Sequence, residues 1–411
     1  MSQKPLPKQP EVNIGTLGHV DNGKSTMVQS LTGIWTAKHS EEMRRGITIR
    51  VGYADAAFYK CTNCDTYGTM EICSKCGSSS EFLRAVSFVD CPGHHSLMVT
   101  MLSGAALMDG SLFVLSATEK YPQPQDREHL AAAEIVAINK MVIVQNKIDV
   151  VDKEKVIENF HEIQRFVKGT IAEKSPIIPI SAQRSINMSL LVEAIEKNIP
   201  TPARELTKPP LMSIVRSFDV NRPGTSAVKI EGGVIGGSIM QGLFKIGDNV
   251  KIVPGVRIEK GAKSYYEPLY TEIVSLHAGG KNVKEATCGG LIGIGTALDP
   301  SLTKADNLVG NIVGKSKHLP PIYESLLLDI QLFERAIGTE ELTIVEKIKI
   351  NEPLVINAGT AVTSGIVTAL KGGYIELSLR RPICAEAHTR LTLSRRIRES
   401  WRLIGHGIIK S

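Results

Sequence analysis

Eight residues near the start of the chain, Gly18-His-Val-Asp-Asn-Gly23-Lys24-Ser25, have the spacing needed to grip a phosphate chain. Glycines at both ends of the run let successive backbone N–H groups turn inward, and a helix starting after Gly23 presents its electropositive end to an anion. Lys24 is placed to reach the β- and γ-phosphates, and the Ser25 hydroxyl to ligate Mg²⁺, with Asp21, Asn22, Gly23 and Thr26 completing the loop.

A phosphate loop does not choose a base. Asn146-Lys147-Ile148-Asp149 does: the Asp149 carboxylate can accept from the ring N–H and exocyclic amine of guanine, a pair that adenine lacks. Lys147 would lie along the ring, and Asn146 would tie this loop to the phosphate loop. Ser181-Ala182-Gln183 offers backbone N–H groups to the guanine O6. Asp90-Cys-Pro-Gly93 reads as a γ-phosphate sensor, with Asp90 holding the magnesium shell through water and the Gly93 N–H facing the phosphate. Thr48 supplies a second hydroxyl for Mg²⁺. Both sensors would let go after hydrolysis, which describes a switch. His94, next to Gly93, is in register to orient the attacking water; capping the following helix is its competing role, and the one preferred for His95. The catalytic set is therefore His94, Lys24 and Thr48.

Four of the seven cysteines form two Cys-x-x-Cys pairs, Cys61/Cys64 and Cys73/Cys76. Four thiolates can close a tetrahedral shell around Zn²⁺ and pin an insertion with few apolar residues, here about 57–82. A redox pair is the alternative, although one pair would suffice for that. The odd cysteine count argues against a disulfide framework and suits a reducing, cytoplasmic compartment.

These residues must be held by a scaffold. Up to about residue 200, strand-like runs at 13–17, 86–89, 111–115, 141–145 and 177–180 alternate with helical stretches at 96–108, 127–137 and 153–169. That alternation predicts a parallel sheet flanked by helices, with each motif at the end of a strand. A proline-rich linker follows, and then short alternating strands divided by glycine turns, which read as a small barrel and a further β domain. The expected division is a loose tail at 1–10, a nucleotide domain at 11–204, and β domains at 211–320 and 321–411. No apolar run is long enough for a membrane span. The net charge is +6, and residues 380–411 carry eight Lys/Arg against Glu386 and Glu399. That excess fits a polyanion such as RNA, or an internally paired face.

Taken together, the residues resemble the elongation-factor-like translational GTPases, and within them the gamma subunits of archaeal and eukaryotic initiation factor two. The specific strings are Arg45-Gly-Ile-Thr-Ile-Arg-Val-Gly-Tyr53, the four-cysteine insertion, Pro122-Gln-Pro-Gln-Asp-Arg-Glu-His129, Arg216-Ser-Phe-Asp-Val-Asn-Arg-Pro-Gly224, Gly232-Gly-Val-Ile-Gly-Gly-Ser238, Asp299-Pro-Ser-Leu-Thr-Lys-Ala-Asp306 and Trp401-Arg-Leu-Ile-Gly405. The resemblance implies a GTPase domain followed by two all-β barrels. It also implies a GTP-dependent carrier of initiator methionyl-tRNA to the small ribosomal subunit, working with alpha and beta subunits. GTPase-activating and nucleotide-exchange factors would act on it, and hydrolysis to GDP would release the tRNA. In that pattern Asp21 and Gly46 help bind metal near the phosphates, and Tyr53 is a tRNA-contact candidate beside a packing role. An elongation-type GTPase and one driving sulfate activation share the domain plan. Asn22 stands where histidine is usual, and His406 where tryptophan is usual.

Overall fold

The computed structural model describes residues 5–37, 42, 48–94, 97–261, 263–334, 344–397 and 400–410. The chain divides into two compact units: Met1–Pro202 with Phe333–Val345 and Arg395–Ile404, and Ala203–Leu332 with Glu346–Ser394 and Gly405–Ser411.

In the first unit the elements run β1 (Val12–Leu17), α1 (Lys24–Thr32), β2 (Gly52–Cys61), β3 (Tyr67–Gly68), β4 (Ser80–Asp90), α2 (Met98–Ala105), β5 (Gly110–Ser116), α3 (Pro124–Ile135), β6 (Met141–Asn146), α4 (Lys153–Val167), β7 (Ile177–Pro179) and α5 (Met188–Asn198). The expected parallel sheet is present as β4-β1-β5-β6-β7. Strands β1, β5 and β6 are buried along their whole length, as strands covered on both faces must be. Fully buried Phe58, Phe88 and Phe113 each contribute roughly 1.5–3 kcal/mol of burial to the sheet.

Two strands outside the sequence expectation extend the sheet: β2 pairs antiparallel with β4, and β3 with β2. Strand β2 contains three alanines and no β-branched residue, so its strand preference rests on Tyr53, Phe58 and Tyr59, and its pairing with β4 completes the order. The expected loose tail is corrected in part. Leu6 is buried against Ala57, Tyr59 and Ala85, and the Glu11 N–H bonds the Ala85 carbonyl at 2.9 Å, because the antiparallel edge offers an apolar shelf.

The second unit opens with β8 (Leu211–Phe218), β9 (Val234–Gln241), β10 (Phe244–Lys245), β11 (Asn249–Lys260), β12 (Lys263–Ala278), β13 (Lys281–Val283), β14 (Glu285–Ala286), β15 (Ile292–Thr296) and β16 (Ile312–Gly314). Seven of these form one sheet in the order β11-β16-β8-β9-β15-β12-β13, and the further β11–β12 pairing closes six of them into a ring with β13 beside β12. Next come β17 (Ile322–Leu332), β18 (Pro353–Ala358), β19 (Ala361–Lys371), β20 (Tyr374–Cys384), β21 (Arg390–Ile397) and β22 (Ser400–Ile409), which close a barrel in the order β17-β20-β19-β18-β21-β22. Burial alternates along β19, the pattern of a strand with one face inward.

Candidate functional site

The phosphate loop leaves β1 and enters α1, and it lines a cavity of about 560 Å³. Val20, Asp21, Gly23, Lys24, Ser25, Thr26, Thr48, Gly93 and Lys147 line it, together with Trp35, Ala37 and Glu42. Lys24 is buried, and its ammonium donates to the carbonyls of Gly18 and His19, 2.8 Å from each. Burial lowers its pKa, against the opposing pull of the Asp90 and Asp126 carboxylates. A charge held this way gains from a phosphate oxygen what it lacks in water. Gly93 comes so close to the loop that a Cβ there would lie 2.3 Å from the Lys24 Nζ and 2.6 Å from the Val20 N. Only a bare backbone fits that approach.

Three oxygen donors meet beside Lys24. Ser25 Oγ lies 3.0 Å from Thr48 Oγ1 and donates to Asp90 Oδ2 at 2.6 Å. Asp90 is fully buried, and its carboxylate also accepts from Thr16 Oγ1 at 2.9 Å and Thr36 Oγ1 at 2.5 Å. Hydroxyls and a carboxylate make a hard-oxygen set that suits Mg²⁺. The strand register explains half of this, since Thr16 and Asp90 are partners across β1 and β4. Glu42 fastens the segment after Thr48 by accepting from the Ile49 and Arg50 N–H groups at 2.9 Å.

The base loops converge through one side chain. Asn146 Nδ2 donates to the Asn22 carbonyl at 2.8 Å, and Asn146 Oδ1 accepts from the Ala182 N–H at 3.0 Å. It thereby joins the phosphate loop to the Ser181-Ala182-Gln183 loop. Lys147, at φ 64°, lines the cavity, while Asp149 forms a 3.7 Å ion pair with Arg184. Ser181 is buried and its hydroxyl accepts from the Arg184 N–H at 3.1 Å. Ala182 is buried and Gln183 exposed, and neither lines the cavity.

Asn22 is buried with its amide turned away from the cavity, donating to the Val114 carbonyl at 2.9 Å. Its side chain is a tether, and any phosphate contact falls to its backbone. Half-buried His94 also lies off the cavity wall, near enough to His19 to depress that ring's pKa, after burial and Lys24. Gly46 and His95 lie outside the described residues. Sequence reasoning missed Thr16, Thr36 and Glu42. Thr16 was findable from strand pairing with Asp90; Thr36 and Glu42 carry no signal in the sequence.

The four cysteines come together at the far end of β2. Their sulfurs all lie within 4.8 Å of one another, with Cys61–Cys76 and Cys64–Cys73 at 3.5 Å. Tetrahedral zinc, with Zn–S near 2.3 Å, spaces its sulfurs by about 3.8 Å. The two halves repeat one turn. Cys61 N–H bonds Thr66 O and Asp65 N–H bonds Cys61 O; Cys73 N–H bonds Ser78 O and Gly77 N–H bonds Cys73 O. Asp65 and Gly77, at φ 58° and 71°, make the left-handed corner in each. Hydrogen bonds from Ser78 hold the Cys76 thiol down at about 5, favouring the metal-binding thiolate.

Comparison with known proteins gives the chain its place. Residues 9–201 match the Elongation factor Tu GTP binding domain, 232–313 the Elongation factor Tu domain 2, and 324–409 the Initiation factor eIF2 gamma C-terminal family. Translation initiation factor 2 subunit gamma of Pyrococcus furiosus is 55% identical over 410 residues, covering 100% of both chains. The chain belongs to the gamma subunits of translation initiation factor 2. The Archaeoglobus fulgidus subunit is 54% identical over 413 residues, covering 100% of this chain and 96% of that one. A bacterial selenocysteine-specific elongation factor, EF-Sec, has the same fold, with TM-score 0.73 and 21% identity over 97% of this chain and 58% of that one. As a gamma-family member with this domain, the chain binds and hydrolyses GTP, and it carries a four-cysteine zinc-binding cluster. No helix of the described residues is long and apolar enough to cross a membrane.

Proposed function

We propose that this chain is the GTP-dependent carrier of initiator methionyl-tRNA to the small ribosomal subunit. It acts in the cytoplasm as gamma subunit of a heterotrimer with alpha and beta subunits, under GTPase-activating and nucleotide-exchange factors. The observation that carries the reading is the meeting of Ser25, Thr48 and Asp90 beside the buried Lys24 in a factor whose relatives act in initiation.

Ser25 and Thr48 would hold Mg²⁺ directly and Asp90 through water, with Asp21 and Gly46 available to a further metal contact. An ion held by these residues would neutralise the charge of the β- and γ-phosphate oxygens. Lys24 and the Gly93 N–H hold the terminal phosphate, and Asp149 reads the guanine edge once it exchanges Arg184 for the base. His94 turns toward the cavity to orient the attacking water. Loss of the γ-phosphate frees Thr48 and Gly93 together, and their loops change the surface offered to tRNA. The nucleotide domain spans 11–204, followed by barrels at 211–320 and 321–411, and Cys61, Cys64, Cys73 and Cys76 hold zinc. The deciding experiment is filter binding of initiator and elongator methionyl-tRNA with GTP or GDP. Preference for the initiator in the GTP form is expected; equal retention of both would favour an elongation-type carrier.

A further inference from the structure

The string Pro122–His129 lines no part of the nucleotide cavity, yet two of its side chains hold the phosphate loop. Asp126 Oδ1 accepts from the His19 N–H at 2.8 Å, and His129 Nδ1 accepts from the Gly18 N–H at 3.0 Å. Their i, i+3 spacing on α3 puts both on one helical face. Asp126 is fully buried and His129 is 2% exposed. Lys24 holds the carbonyls of the same two residues. The Gly18 and His19 peptide groups are thus gripped on their N–H side by α3 and on their carbonyl side by Lys24. When Lys24 is shared with phosphate oxygens, the α3 grip remains.

We propose that Asp126 and His129 are positioning residues for the nucleotide: they fix the first turn of the phosphate loop, and the charged Asp126 carboxylate fixes it more firmly than its neutral form would. The inference rests on the nucleotide site above. Among the described residues Asp126 Oδ2 has no hydrogen-bond partner, so the carboxylate is buried at a cost that packing alone does not require. The groups facing it are His19 on the loop, Lys24 on α1, and Glu119 and Tyr121 after β5. Burial raises the Asp126 pKa to about 7, ahead of the opposing His19 N–H and Lys24. Burial, then Lys24 and His19, lowers that of His129 to about 3, so its Nδ1 stays an acceptor at every physiological pH. For Asp126 the folded pKa lies above the unfolded one. The stability cost of its charge is therefore complete above pH ~7 and disappears as pH falls toward ~4.

The test is stopped-flow release of a fluorescent GDP from the full chain between pH 6 and 8.5, with thermal melts of the nucleotide-free protein. In wild type, release is expected to quicken as pH falls through about 7. Asp126→Asn keeps an acceptor oxygen but no charge; at pH 8.5 it should release GDP about fivefold faster, with little pH dependence. Its Tm at pH 8.5 should nonetheless lie above wild type, an opposition that a merely structural residue would not produce. His129→Phe, which removes the acceptor but fills the ring's volume, should quicken release about fivefold at every pH. Lys24→Ala serves as the control for the nucleotide reading, since it weakens binding by about a hundredfold or more if that reading holds, whereas the α3 variants lose about fivefold. A pH-flat wild type overturns the proposal, as does an Asp126→Asn that keeps the wild-type rate or slope. If Asp126→Asn does not fold, unchanged release from His129→Phe overturns it.

Discussion

The nucleotide cavity and the four-cysteine centre share one sheet but are built in opposite ways. The cysteine centre is local: from Cys61 to Cys76 one turn is used twice, and each turn closes its own hydrogen bonds. The cavity draws on segments far apart in the chain, with Asp90 reaching Thr16, Ser25 and Thr36, and Asn146 reaching both Asn22 and Ala182. A local site needs its metal to pay the entropy of a short loop, and an assembled one needs the whole sheet. The two should therefore fail independently.

The largest effect separates chemistry from binding inside the cavity. His94→Ala should lower stimulated GTP hydrolysis by about 10²–10⁴-fold while leaving GTP affinity intact, as single-turnover kinetics would read. Unchanged turnover would return His94 to a capping role. Lys24→Ala should weaken GTP binding by about a hundredfold or more, through the loss of charge-assisted bonds, with zinc content unaltered. A loss of zinc alongside GTP would break the claim of independence. Asp149→Asn should cut the preference for GTP over ATP by roughly tenfold to a hundredfold in competition calorimetry. An unaltered base preference would mean another group reads the purine. The smallest effect on the nucleotide comes from the far end of β2. Cys73→Ser should lose bound zinc and amide protection around Tyr67 and Gly77 by hydrogen exchange, with GTP affinity unchanged. Weakened GTP binding would show that the centre supports the switch loops after all.

The basic excess near the C-terminus sharpens in the same way. Arg402 is spent on buried Glu128 at 3.2 Å, and Lys410 on Asp329 at 3.2 Å. These two charges serve the protein itself, so any RNA contact must draw on the others. A steep fall of tRNA affinity with salt would require such contacts.

The ligands were legible from the sequence because the chemistry that recognises them tolerates few residue types. A phosphate loop needs glycines, a lysine and a hydroxyl in fixed order, guanine needs a carboxylate after a strand, and zinc needs paired thiols. The strands carrying them were legible because β1, β5 and β6 are short runs dominated by apolar residues. What only the tertiary structure decided is which groups hold those ligands' holders. Thr36 on Asp90, the Asn22 amide on the Val114 carbonyl, and Asp126 and His129 on the loop N–H groups are contacts between segments distant in the chain. No local spacing encodes them, since a hydrogen bond across a sheet depends on strand register and burial, and many residue types at those positions would preserve the motif while changing the grip.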